Sequence, residues 1–194
     1  MKCDIILAGV GGQGILSIAA SIGMAALNAH LYVKQAEVHG MSQRGGAVQS
    51  NLRISTKEIA SDLIPLQGAD IILSVEPMES LRYLPYLSRN GWLITNTSPM
   101  INIPDYPDIH DLMKFISALP HPITVDAEML AAQAGSKKVS NMVMLGAATP
   151  FIDIPFEHFE QGIERVFGRK GEEIVRMNLN ALRAGKKVAA NIGK

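Results

Sequence analysis

The stretch Cys3-Asp4-Ile5-Ile6-Leu7-Ala8-Gly9-Val10-Gly11-Gly12-Gln13-Gly14 decides the fold. Cys3–Ala8 is a short apolar run rich in branched residues, as a central strand requires. Gly9–Gly14 follows as a loop. Beyond it, Ile15, Ile18, Ala19 and Ile22 recur at helical spacing, while Leu16, Ala20 and Leu27 fill the other side. Residues 14–27 therefore read as a helix buried on most of its circumference. Strand, glycine loop and helix in this order form the first half of a β-α-β unit, and Gly9-x-Gly11-x-x-Gly14 satisfies the G-x-G-x-x-G pattern in the context it needs. The glycines permit a tight turn and close backbone approach. The helix N-terminus offers free N–H groups to a phosphate or another anion.

Outward from that unit, strands and helices alternate. Short strands are expected at Leu31–Lys34 and, with alternating exposure, at Val48–Ile54. Buried strands are expected at Asp70–Val75, Trp92–Thr95 and Ile123–Ala127. A helix entered through Pro77 runs to Ser88 and is stopped by Asn90-Gly91, and a short one covers Asp111–Ala118. Asn141–Thr149 reads as a buried helix with Asn141 as its cap. Phe156–Phe167 reads as a helix entered through Pro155. A last helix from Gly171 to about Ala190 opens on Glu172 and Glu173 and closes on Arg183, Lys186 and Lys187, in accord with the helix dipole. The pattern is α/β: a three-layer arrangement of a mostly parallel sheet with helices on both faces. No linker or repeat divides the chain, so residues 1–194 form one domain with the C-terminal helices packed on it.

Composition narrows the function. Lys+Arg and Asp+Glu are 18 each, so the formal net charge is zero. That argues against a dedicated nucleic-acid binder and against a polybasic membrane-surface protein. Charged residues are only 19% against 47% hydrophobic, which favours association with other chains. Residues 5–29 are uncharged, but Asp4 precedes the run and the glycine cluster breaks it, so neither a signal peptide nor a membrane span is expected. Cys3 is the only cysteine. It can form neither an intramolecular disulfide nor an all-cysteine metal or iron–sulfur site, and it fits a reducing cytoplasm. The ten methionines read as core filler.

A nicotinamide site needs an acidic residue about 20 positions after the glycines, at the end of the second strand. Lys34 and Gln35 stand there instead, with Glu37 two residues further in a loop. The first loop also fails the Walker A pattern, since Ile15 occupies the lysine position. A second polar, glycine-bearing loop spans Ala36–Gly46 and contains Glu37, His39, Gln43 and Arg44. Flanking glycines suit Arg44 to bidentate contact with a carboxylate or phosphate. His39 lacks a second ligand at metal spacing, and Ser42 fails the nucleophile-elbow pattern. Glu76-Pro77 and Asn96-Thr97-Ser98 follow strand ends, where open α/β sheets bind ligands.

The chain resembles the gamma-type subunits of the 2-oxoacid:ferredoxin oxidoreductases. The likeness rests on GVGGQG at 9–14, EVHGMSQRGG at 37–46, SNLRI at 50–54, residues 70–76, NMVMLGA at 141–147 and NLNALRAG at 178–185. The second of these points to the indolepyruvate-type branch. The resemblance implies an enzyme that converts an aryl 2-oxoacid to acyl-CoA, CO2 and reduced ferredoxin. Thiamine diphosphate, magnesium and iron–sulfur clusters then sit in a large partner subunit, ferredoxin is met through that subunit, and CoA is a co-substrate of the complex. It also implies a Rossmann-like fold that is not a nicotinamide site, with an antiparallel strand, for which Val48–Ile54 is the candidate. Carried over as site residues are Gly9, Gly11, Gly12, Gln13, Gly14, Glu37, His39, Gln43 and Arg44, with no catalytic or metal-binding residue. The isolated chain is expected to be inactive and could form a homodimer. A stand-alone NAD(P)-dependent oxidoreductase and a nucleotide-sensing or scaffold module stay open as alternatives.

Overall fold

A computed structural model describes residues 1–39 and 45–190. Six strands form one sheet: β1 (Lys2–Val10), β2 (Tyr32–His39), β3 (Ala47–Ser55), β4 (Ala69–Ser74), β5 (Leu87–Asn96) and β6 (Pro122–Val125), in the order β2-β3-β1-β4-β5-β6. β1, β4, β5 and β6 run parallel. β3 is antiparallel to both β1 and β2, which places the expected antiparallel strand one residue longer at each end.

The helices divide at β1. α1 (Ile15–Asn28) lies on one face, where Ile5 and Leu7 point, and α2 (Pro77–Arg82) and α3 (Ile109–Ser117) lie on the other, where Ile6 and Ala8 point. Alternate residues of one buried strand thus enter two separate cores. After β6 the chain returns to the α1 face as α4 (Ala127–Gln133), α5 (Ser140–Ala148), α6 (Phe156–Phe167) and α7 (Glu172–Ala190). α5 is buried along its whole length after Ser140, with β4 and β5 on one side and α7 on the other. Among the described residues no helix is long and apolar enough to cross a membrane.

Four expectations change. β2 continues to His39, so Glu37 lies in a strand, not a loop; the ladder from Tyr32↔Ser55 to His39↔Val48 holds these polar residues extended on a sheet edge. Asn90-Gly91 does not stop a helix but lies inside β5. α2 ends at Arg82, and a β carbon at Gly91 would stand 2.9 Å from the Ala69 carbonyl, so this glycine serves close strand packing. Residues 127–133 form a helix that the sequence did not announce, capped by Asp126. α1 buries one face only, because α6 and α5 cover it from one side: Leu16 and Leu27 are exposed.

Asp4 and Arg53 hold the other end of the sheet. Arg53 donates both fork nitrogens to the buried Asp4 carboxylate, at 2.8 and 3.0 Å, and Nη1 to the Ser61 and Leu63 carbonyls at 3.0 Å. The bidentate pair pins residues 61–63 across β3 and β1, which gives the SNLRI segment a structural role.

Candidate functional site

The glycine loop is closed largely on itself. The Gly11 N–H donates to the Gly46 carbonyl at 2.8 Å, and the Gly45 N–H donates to the Gly11 carbonyl at 3.3 Å. These bonds extend the β1–β3 ladder and stitch the first motif to the end of the second. Gln13 folds back: its Oε1 accepts the Val10 N–H at 2.8 Å, and its own N–H donates to the Val10 carbonyl at 3.1 Å. Its Nε2 reaches the Val75 carbonyl, at 3.5 Å, across the gap between β1 and β4.

Gly14 caps α1 in the left-handed conformation, φ 81°, which disfavours a side chain. A β carbon there would also collide with the Asn141 amide, whose Nδ2 donates to the Gly14 carbonyl at 3.2 Å. Asn141 is therefore not the cap of α5; Val139 stands at that position, and Asn141 uses its side chain to fasten α5 to the glycine loop. At Gly9 a β carbon would collide with Val75, so this glycine allows β1 and β4 to close together at their C-terminal ends.

The loop after β5 is fastened by polar groups. Glu76 is fully buried. One carboxylate oxygen accepts the Glu79 N–H at 2.8 Å and caps α2; the other accepts the Met100 N–H at 3.3 Å and the Tyr106 hydroxyl. Burial first, then the bond and the charge of Glu76, push the Tyr106 phenol well above its usual range. Asn96 donates to the Val75 and Ser98 carbonyls, both at 3.4 Å, and accepts the Ala127 N–H at 3.2 Å. Asn102 donates to the Gly45 carbonyl at 2.7 Å.

Between these parts lies a crevice of about 310 Å³, lined by Gln13, Asn96, Ser98, Met100, Glu128 and Ser140 among others. It opens at the C-terminal ends of β1, β4 and β5, where α1 and α2 leave for opposite faces. That switch point is where open α/β sheets bind ligands or partners.

The family model for pyruvate ferredoxin/flavodoxin oxidoreductase matches residues 4–188 of the chain. The chain belongs to this family. It is 37% identical over 194 residues to indolepyruvate oxidoreductase subunit IorB of Archaeoglobus fulgidus, across 95% of this chain and 94% of that one. The crystal structure of pyruvate oxidoreductase subunit PORC from Thermotoga maritima matches with a TM-score of 0.72 at 25% identity, covering 96% of each chain. The same fold recurs in 2-oxoglutarate:ferredoxin oxidoreductase from Magnetococcus marinus, solved with 2-oxoglutarate, coenzyme A and succinyl-CoA bound: TM-score 0.77, 22% identity, 98% of this chain. This chain spans 31% of that longer polypeptide.

As a 2-oxoacid:ferredoxin oxidoreductase subunit, the chain brings most of the residues singled out in the sequence to one edge of the sheet. Gly9, Gly11, Gly12, Gln13 and Gly14 lie there, with Gly11 bonded to Gly45 and Gly46. Glu37 stands two strands away on β2, opposite Ser50, and His39 is the last residue of β2. Gln43 and Arg44 lie outside the described residues. Glu76 and Asn96 were legible as residues just after strands. Asn102, Tyr106, Glu128 and Ser140 carried no sequence signal, because only the return of the chain after β5 and β6 brings Glu128 and Ser140 to the crevice, Asn102 to Gly45 and Tyr106 to Glu76.

Two features of this oxidoreductase subunit bear on its chemistry. Cys3 is buried in β1, and its thiol is pushed up to about 12, by burial first and then by the charges of Asp70 and Asp4. It is neither a nucleophile nor an accessible metal ligand near neutral pH. Within the loop the Val10, Gly11 and Gln13 N–H groups are bonded internally, and the second strand after the glycines is not beside β1 at all, since β3 lies between them.

Proposed function

We propose that this chain is the non-redox subunit of a cytoplasmic, thiamine-diphosphate-dependent oxidoreductase that converts indolepyruvate, or another aryl 2-oxoacid, and CoA to acyl-CoA, CO2 and reduced ferredoxin. The observation that carries the reading is the likeness to IorB across 95% of this chain. In this reading residues 1–194 act as one domain, and a large partner subunit holds thiamine diphosphate, magnesium and the iron–sulfur clusters and meets ferredoxin.

The residues present support that division. A buried thiol held protonated does not fit a cluster. The carbanion sink belongs to the cofactor, as in other thiamine chemistry. What this chain's own residues do is position. Gln13 and Asn141 fix the glycine loop, and Glu76, Asn96 and Asn102 fix the loop that faces it. We place the contact with the partner or with CoA at Gly9, Gly11, Gly12, Gln13 and Gly14 together with Glu37, His39, Gln43 and Arg44, with Arg44 meeting a carboxylate or a CoA phosphate.

Reconstitution tests the reading. The wild-type chain combined with the large subunit should show indolepyruvate- and CoA-dependent dye reduction, and the chain alone should show none. Ferredoxin reduction by the isolated polypeptide would sink the proposal.

A further inference from the structure

The rim of the crevice exposes more apolar surface than its own folding requires. Ile101 is 72% exposed, Met129 51% and Ile103 42%. Met100 lines the crevice with Glu128, and Met129 follows Glu128 in α4. The loop carrying Ile101 and Ile103 is held by Glu76 and Asn102 through polar bonds, so its apolar side chains are not the groups that anchor it. Large apolar residues presented outward by a firmly held loop mark a surface that is covered in use.

The charge around them is predominantly acidic. The rim segments 11–16, 97–108 and 126–130 contain Asp105, Asp108, Asp126 and Glu128 and no lysine or arginine, and the rim's cations are Lys137 and Lys138, which stand before Ser140 at the crevice's edge. Asp108 and Asp126 cap α3 and α4. Glu128 lines the crevice and pairs with no cation among the described residues. In a chain of zero net charge, this is a local acidic and apolar face.

We infer that this rim is the face that docks the large subunit, and that the partner presents apolar residues to Ile101, Ile103 and Met129 and a basic side chain to the Glu128 carboxylate. The inference rests on the subunit assignment above and adds the surface and the partner's chemistry. Two observations select this occupant. The fold forms 31% of the longer Magnetococcus polypeptide, so it occurs as one part of a larger body. A second copy of this chain would bring like charges together across a two-fold axis, which electrostatic complementarity disfavours.

Association of the separately purified chain with the large subunit, followed by calorimetry at two salt concentrations, tests this. Ile101→Asp, Met129→Asp and Glu128→Arg should each weaken the complex by about tenfold or more, as at interface hot spots, with melting temperatures near wild type. Phe115→Asp, at an exposed position of α3 on the other face, should stay within about twofold. Wild-type binding should weaken with salt. Normal assembly of all three rim variants overturns the inference and leaves the subunit assignment intact. Rim variants that assemble normally but abolish self-association of the isolated chain would assign the face to a second copy, and so also overturn it. Failure of the wild-type chain to bind the large subunit would remove the assignment itself.

Discussion

Gln13 is the side chain that turns a glycine loop into a joint. The G-x-G-x-x-G spacing is visible in the sequence, but what occupies its mouth depends on a residue reaching from Val10 to Val75. Asn141 acts in the same way from the far side, fixing a carbonyl 127 positions earlier in the chain. At this scale Arg44 is the residue most open to test. A bidentate, partly desolvated contact with an anion contributes roughly 1.5–3 kcal/mol. Arg44→Ala should therefore raise the Michaelis constant for CoA, or weaken assembly, by about tenfold or more. Arg44→Lys keeps the charge without the fork and should recover part of that. Wild-type assembly with wild-type CoA kinetics in the alanine variant would reduce Arg44 to a surface charge worth under about 1 kcal/mol.

At the scale of elements, α5 and α7 approach each other closely. A β carbon at Gly185 would collide with the Val143 carbonyl, and one at Gly146 with the Leu182 carbonyl, so the two backbones touch across paired glycines. Gly185→Ala gains about 1 kcal/mol of helix propensity. Against this it drives a methyl into main chain that cannot swing aside, and such overpacking costs typically about 1–3 kcal/mol. We expect net destabilisation. Gly23, inside α1, has open space where its β carbon would be, so Gly23→Ala should stabilise by roughly 0.5–1 kcal/mol. Urea titrations of the two variants should move the midpoint in opposite directions; a shift of the same sign in both would refute the packing argument. The two glycines look alike in the sequence, each within a helical stretch, and only the neighbouring helix separates them. β2 teaches the converse: its polar residues resemble a loop until the ladder with β3 supplies their partners.

The whole molecule decides what the glycine loop can bind. In a dinucleotide fold the second strand lies beside the first and brings its acidic residue to the ribose. Here the chain inserts β3 between them and runs it antiparallel, so Lys34, Gln35 and Glu37 all stand two strands from β1. Titration calorimetry with NAD(H) and NADP(H) should accordingly give no binding at micromolar concentrations, and tight binding would revive the dehydrogenase alternative. The sequence by itself determined the α/β class, the strand–glycine–helix opening, the course of α6 and α7 and the absence of a ribose-binding acid. These follow from short-range periodicity, end signals and residue chemistry, which are local. Tertiary structure alone decided the sheet order, the division of the helices at β1, the Gln13 and Asn141 fastenings and the acidic, apolar rim. Each of these joins residues distant in sequence, and no local pattern encodes which of the many possible long-range pairings a strand or a loop will satisfy.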